Sequence, residues 1–156
     1  MIVCKFGGSS VANAAQIKKV KAILNQDERR QIAVVSAPGK RNKDDEKITD
    51  LLYESNRLVQ KGQSCRPVFQ KIQKRFLEIA EELSLPTEEL SDALDEVRRN
   101  IDAGRGENYA ASRGEYLSAK LISQALGWEF LDAESVIVIN SDSTVNEASY
   151  DNLRAM

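Results

Sequence analysis

Histidine is absent from all 156 residues of this chain. That removes Ser-His and Cys-His nucleophilic pairs, and every imidazole metal ligand, from within the chain. Cysteine is scarce: Cys4 and Cys65 lie far apart without metal-ligand spacing and read as reduced thiols of a cytoplasmic protein. Long apolar runs are missing too, since stretches such as 136–139 are far too short to span a bilayer. The opening Met1-Ile2-Val3-Cys4-Lys5 lacks a charged segment followed by a long apolar one, so no signal peptide is read there. There is no basic excess: 22 Lys and Arg stand against 24 Asp and Glu, a formal charge of −2, which argues against a nucleic-acid partner. What remains is 42% hydrophobic and 29% charged, the balance of a soluble globular domain with a sizeable core. Its chemical inventory is Lys, Arg, Asp, Glu, Ser, Thr and backbone amides. Such groups suit phosphoryl transfer, in which positioning and charge stabilisation do most of the catalysis.

Ile2–Phe6 is a short apolar run ending at Gly7-Gly8 and reads as a buried strand. Residues 11–24 carry Ile17, Val20, Ile23 and Leu24 at helical spacing, with Ser9 or Ser10 as cap. Residues 31–35 form a second buried strand closing at Ser36-Ala37-Pro38-Gly39, so the helix between is long enough to cross over between parallel strands. The charged stretch 40–47 reads as a mobile loop, with Asp44, Asp45 and Glu46 solvated. Helical patterns follow over 48–61, over 67–83, from Pro86 through Leu90, Leu94 and Val97, and over 109–126 with a stop at Gly127. Residues 130–131 and 136–139 read as two more short strands, with Trp128 and Phe130 in the core. Residues 140–156 show no clear strand or closing helix. The fold class is α/β: a layered sheet, incomplete in this chain, with a helical excursion across 48–126.

Three stretches could carry chemistry. In Lys5-Phe6-Gly7-Gly8-Ser9-Ser10 the glycines let backbone approach an anion, and amides opening the next helix could face it beside the Lys5 charge. A plain strand-to-helix turn with an incidental lysine fits equally well. Ser36 ends a strand at what should be the same sheet edge, where ligands of such sheets bind. Thr49 could serve that site or cap the helix beginning there. In Ser112-Arg113-Gly114-Glu115-Tyr116-Leu117-Ser118-Ala119, Ser112 and Glu115 share a helical face. Gly114 costs roughly 1 kcal/mol against alanine in a helix, a cost that often reflects close packing. Glu115 could hold a substrate ammonium or be an ordinary surface charge.

Taken together these stretches resemble the aspartokinases. Lys-Phe-Gly-Gly-Ser-Ser-Val-Ala from Lys5 is similar to the opening signature of that family. Val34-Val35-Ser36-Ala37 followed by Thr49-Asp50-Leu51-Leu52 is similar to its second motif, with a longer charged insert at 40–47. Ser112-Arg113-Gly114-Glu115-Tyr116-Leu117-Ser118-Ala119 resembles its third, with Arg113 at a position often held by histidine. The resemblance implies an amino acid kinase fold, carbamate kinase-like, and transfer of the ATP γ-phosphate to the β-carboxylate of L-aspartate. That is the first step toward lysine, threonine and methionine.

By the same resemblance Lys5 is the electrophilic catalyst and Gly7, Gly8 and Ser9 line the phosphate side. Ser36, Thr49 and Glu115 bind aspartate, Glu115 through its α-amino group. Mg²⁺ would accompany ATP, with no metal held by the chain itself. The family's nucleotide-binding half and regulatory ACT domains are not readable in 1–156. The chain is therefore expected to be a partial kinase domain with little ATP-dependent turnover alone. Two other readings stand beside this one: a kinase of another acid or a nucleoside monophosphate on the same fold, or a non-catalytic module binding a ligand or a subunit. An unfinished sheet would also leave an edge through which the chain could self-associate.

Overall fold

The computed structural model describes residues 1–155. Strand β1 (Ile2–Phe6) pairs in parallel with β2 (Arg30–Val35), Lys5 opposite Val34 and Phe6 opposite Val35. Helix α1 (Ala14–Leu24) crosses between them and buries Ala14, Ile17, Val20 and Leu24, whereas Ile23, expected on the same patterned face, is exposed. Alternation along the strands turns Cys4, Phe6, Ala33 and Val35 toward the core and leaves Val3, Ile32 and Val34 exposed on the other face.

Four helices follow: α2 (Ile48–Gln60), α3 (Arg66–Glu82), α4 (Glu88–Asp102) and α5 (Glu107–Leu126). They pack on one another and, through α5, on α1 and β2. Leu52, Phe69, Ile72, Phe76, Leu94, Ile101, Leu117 and Leu121 are fully buried where they meet. Each large apolar side chain removed from water contributes about 1.5–3 kcal/mol before entropy is charged against it. Cys65, at the head of α3, is likewise buried, and burial pushes its thiol up to about 12, so it is an inert core group. Helix α5 ends at Gly127, whose φ of 70° is the left-handed conformation that closes a helix. Lys21 reaches that end from α1 and donates to the Ala125 carbonyl at 2.8 Å. No helix among the described residues is long and apolar enough to cross a membrane.

Several expectations are corrected. Neither Ser9 nor Ser10 caps α1. Residues Gly8–Val11 form a separate 3-10 turn, and Asn13 is the cap, its side chain accepting from the Gln16 amide at 2.9 Å. Pro86 lies outside α4, which begins at Glu88. Residues 130–131 and 136–139 are not strands. Residues Ala133–Ser135 make a 3-10 turn, and Ile139 forms only an isolated bridge to Val145. The backbone of Val138 is taken instead by Ser149 Oγ and the Asn146 amide. The 140–156 stretch does contain a helix, α6 (Ala148–Arg154), moored by buried Ser149 and by Asn152, which donates to the Val136 carbonyl at 3.0 Å. Trp128 and Phe130 are half-buried, Phe130 edge-on to Tyr116 at 5.5 Å.

Candidate active site

The site begins where β1 runs out. Gly7 is extended, and its carbonyl accepts the Ser10 amide at 2.9 Å, closing the 3-10 turn. Because the next α-helix starts only at Ala14, its dipole does not open on the glycines as the sequence implied. What the turn offers is different. The amides of Gly7, Gly8 and Ser9 donate to no acceptor among the described residues. A backbone donor left without a partner needs water or a ligand.

Beside it lies the turn after β2. The Ser36 amide donates to the Phe6 carbonyl at 3.0 Å, and Gly39 donates to Gly8 at 2.9 Å. These two turns touch backbone to backbone. A Cβ on Gly39 would stand 2.7 Å from the Gly8 carbonyl carbon, and one on Gly8 would stand 3.0 Å from the Ala37 oxygen. A Cβ on Gly7, in contrast, would meet no protein atom within 4 Å. The first glycine is therefore not there for packing, whereas the second and Gly39 are.

Helix α5 reaches the same place. A Cβ on Gly114 would lie 2.6 Å from the Ala37 Cβ and close to Leu52 and Ile48 of α2. The helical glycine thus admits the Ala37 side chain and brings α5, with Glu115 next in sequence, against the second turn. Thr49 lies in the first turn of α2, beside buried Ile48. It is not the cap, since Lys47 holds that position. The structure therefore gathers the stretches carrying Lys5, Gly7, Gly8, Ser9, Ser36, Thr49 and Glu115 at the carboxyl ends of the two strands. Lys5 and Glu115 are exposed, and neither enters an ion pair among the described residues. Arg113 is packed rather than free. Its guanidinium lies 4.7 Å from the rings of Tyr109 and of Tyr116 and 3.8 Å from Glu134.

Sequence reasoning missed Arg75 of α3, which is 4% exposed. Its Nη2 donates to the carbonyls of Ala12 and Gly39, and its Nη1 to Glu46 at 3.1 Å. The same head pairs with Asp45 at 2.8 Å. A signal was present: Arg75 interrupts the apolar stripe of Ile72, Phe76 and Ile79, where a solvated charge has no place. Burial pulls the Arg75 pKa down from its ordinary value, against the attraction of Asp45.

The 40–47 loop is consequently not a simply solvated one. Asp45 is held well below the carboxylate range, chiefly by its hydrogen bond from Arg41, with Arg75 adding to the effect against the opposing burial. Glu46 pairs with Lys71 at 2.9 Å, and Arg41 also reaches Glu78 at 3.4 Å. The depressed Asp45 pKa stabilises the folded chain fully above the unfolded value of 3.8. That stability is lost as pH falls below it toward the folded value. In an acid titration followed by circular dichroism, Asp45→Asn is expected to flatten the fall in stability below about pH 4. An unchanged acid slope would show that Asp45 contributes nothing.

Among the described residues no group of three or more Cys, Asp and Glu side chains is placed to hold a metal.

Comparison with known proteins bears on the family and the fold. A family model described as the amino acid kinase family matches residues 1–156. Aspartokinase 3 of Bacillus subtilis is 34% identical over 141 residues, covering 87% of this chain and 31% of that protein. The crystal structure of Clostridium acetobutylicum aspartate kinase superposes with a TM-score of 0.95 at 41% identity, over 99% of this chain and 36% of that one. Escherichia coli aspartokinase III, solved with aspartate and ADP, shares the fold at TM-score 0.80 and 23% identity, again over 99% of this chain and 37% of the other. The chain thus spans about a third of the length of the relatives it matches, 31% and 36% in the first two.

Proposed function

The chain belongs to the amino acid kinase family, and from that premise we propose that it forms the aspartate-binding, phosphoryl-facing part of an aspartate kinase. One observation carries the reading. Among the described residues three consecutive amides, Gly7 to Ser9, stand without acceptors at the end of the strand that carries Lys5, which enters no ion pair there. A turn in which the first glycine excludes no protein atom is suited to a ligand that comes close to the backbone, as a phosphate does.

In the proposed reaction a β-carboxylate oxygen of L-aspartate forms a bond to the γ-phosphorus of ATP. The bond from that phosphorus to the β,γ-bridging oxygen breaks, and ADP leaves with the electron pair. Lys5 offsets charge on the oxygens in flight, and the Gly7, Gly8 and Ser9 amides hold them. Glu115 takes the α-ammonium of aspartate, with Ser36 and Thr49 as neutral partners on the same side. The adenine site and any ligand-sensing domains would belong to the part of such proteins outside the matched third, and Mg²⁺ would enter with the nucleotide. A place in the synthesis of lysine, threonine and methionine, in the cytoplasm, follows from the same reading. So does a homo-oligomer.

Isothermal titration of the chain with L-aspartate tests the substrate side. Glu115→Ala is expected to weaken binding about 10- to 100-fold, the loss of one charge-assisted contact. Thermal stability should stay unchanged, because Glu115 is exposed and unpaired. Equal affinity in both proteins would remove Glu115 from the site.

A further inference from the structure

Nothing in the proposed chemistry calls for Arg75, yet its buried guanidinium donates through both Nη atoms to three carbonyls and pairs with Asp45, leaving only Nε without a partner among the described residues. The Ala12 carbonyl ends the glycine turn, and Gly39 is the residue whose amide holds Gly8. Glu46 and Asp45 belong to the loop that leads into α2 and Thr49. We propose that Arg75 is the positioning residue of this site, clamping the glycine turn, the second turn and the 40–47 loop in a single arrangement through three carbonyls and one carboxylate. For the identity of the ligand this rests on the aspartate-kinase reading; for the clamp itself it does not.

The chemistry favours arginine at this position. A planar fork presents several donors in fixed directions, so one side chain can hold three separate backbone segments. Lysine carries the same charge as a single point and cannot span the Ala12, Gly39 and Glu46 carbonyls together. Arg75 does not touch the Gly7, Gly8 or Ser9 amides, so its action on a ligand is indirect. The two turns hold each other by one hydrogen bond between Gly39 and Gly8 and by close backbone contact. Arg75 adds a tie from each of them to the rigid helix α3, and a site displaced by a fraction of an ångström loses much of its function.

Hydrogen exchange followed by NMR on the chain tests the clamp. With Arg75→Lys, the amides of Gly39, Ser10 and Ser36 are expected to exchange about tenfold or more faster, while amides inside α4 keep their protection. A uniform acceleration that includes α4 would mean that Arg75 serves general stability only, and would overturn the inference. Should Arg75→Lys fail to fold, Asp45→Asn keeps the three carbonyl contacts of Arg75 and removes the carboxylate charge that it shares with Arg41, and Arg41→Met, which removes the Arg41 pair alone, serves as the control. The same local pattern is then expected at about threefold, and no local change overturns the clamp.

Titration with L-aspartate separates the two readings. Affinity about tenfold weaker in Arg75→Lys supports a positioned site, whereas unchanged affinity despite faster exchange overturns the link to ligand binding. An unmutated chain that fails to bind aspartate overturns the substrate reading, and the exchange pattern still decides the clamp.

Discussion

Replacing Lys5 with methionine is expected to lower kcat about 1,000-fold, with the KM for aspartate close to unchanged. The setting for the measurement is a full-length kinase in which this chain replaces the equivalent residues of the Clostridium acetobutylicum enzyme, followed in a coupled ADP assay. Methionine keeps most of the stem and removes only the charge. Lys5 is exposed and makes no ion pair among the described residues, so its loss costs the fold little. In phosphoryl transfer, charge spreads over the equatorial oxygens of the moving group, and a preorganised cation is worth most at that moment. A contribution made only in the transition state shows in kcat and not in substrate binding. A fall in kcat of less than about fivefold, equal to about 1 kcal/mol, would exclude Lys5 from that role.

The second large effect falls on Gly39. Alanine there would place its Cβ 2.7 Å from the Gly8 carbonyl carbon and 2.9 Å from the Gly8 oxygen. Both are backbone atoms, so no flexible side chain can move aside. Gly39→Ala is expected to destabilise the chain by about 2–3 kcal/mol, lowering Tm by about 4–12 °C. Gly7→Ala is the contrast. It meets no protein atom and sits at extended angles that any residue adopts, so Tm should hold. Similar melting of the Gly39→Ala and Gly7→Ala proteins would refute the packing argument for the second turn.

Much of this arrangement could be read from the chain. The helical stripes of Ile17, Val20 and Leu24, of Leu51 and Leu52, and of Leu90, Leu94 and Val97 are buried as their spacing requires, and of the residues read into the first only Ile23 is left exposed. The Gly127 stop holds because a left-handed residue ends a helix whatever surrounds it. The glycine turn and the stretches around Ser36, Thr49 and Glu115 meet at one end of the sheet because strand ends and crossovers fix that geometry. The misreadings share a cause. Asn13, Ser9 and Ser10 are all good caps, and only the 3-10 turn at Gly8–Val11 decides among them. The 136–139 run has strand composition, but its backbone partners come from Ser149 and Asn146 in place of a neighbouring strand. Asp45 looks like an ordinary surface charge until the loop and helix α3 are in place, and Arg75 is marked in the sequence only by its position within the apolar stripe of α3.

The tie between Arg75 and Ala12 spans 63 residues, and the tie between Lys21 and Ala125 spans 104. Contacts of such sequence separation form late, since long loops must close before they are rewarded. The glycine turn is thus made before the partners that anchor it and is among the last parts to be fixed. Until α3 has emerged, residues 7–12 lack their anchor, and until α5 has emerged the second turn lacks the groove at Gly114 that receives Ala37. The helices can therefore form before the two turns are fixed, and the turns settle together with the core that anchors them.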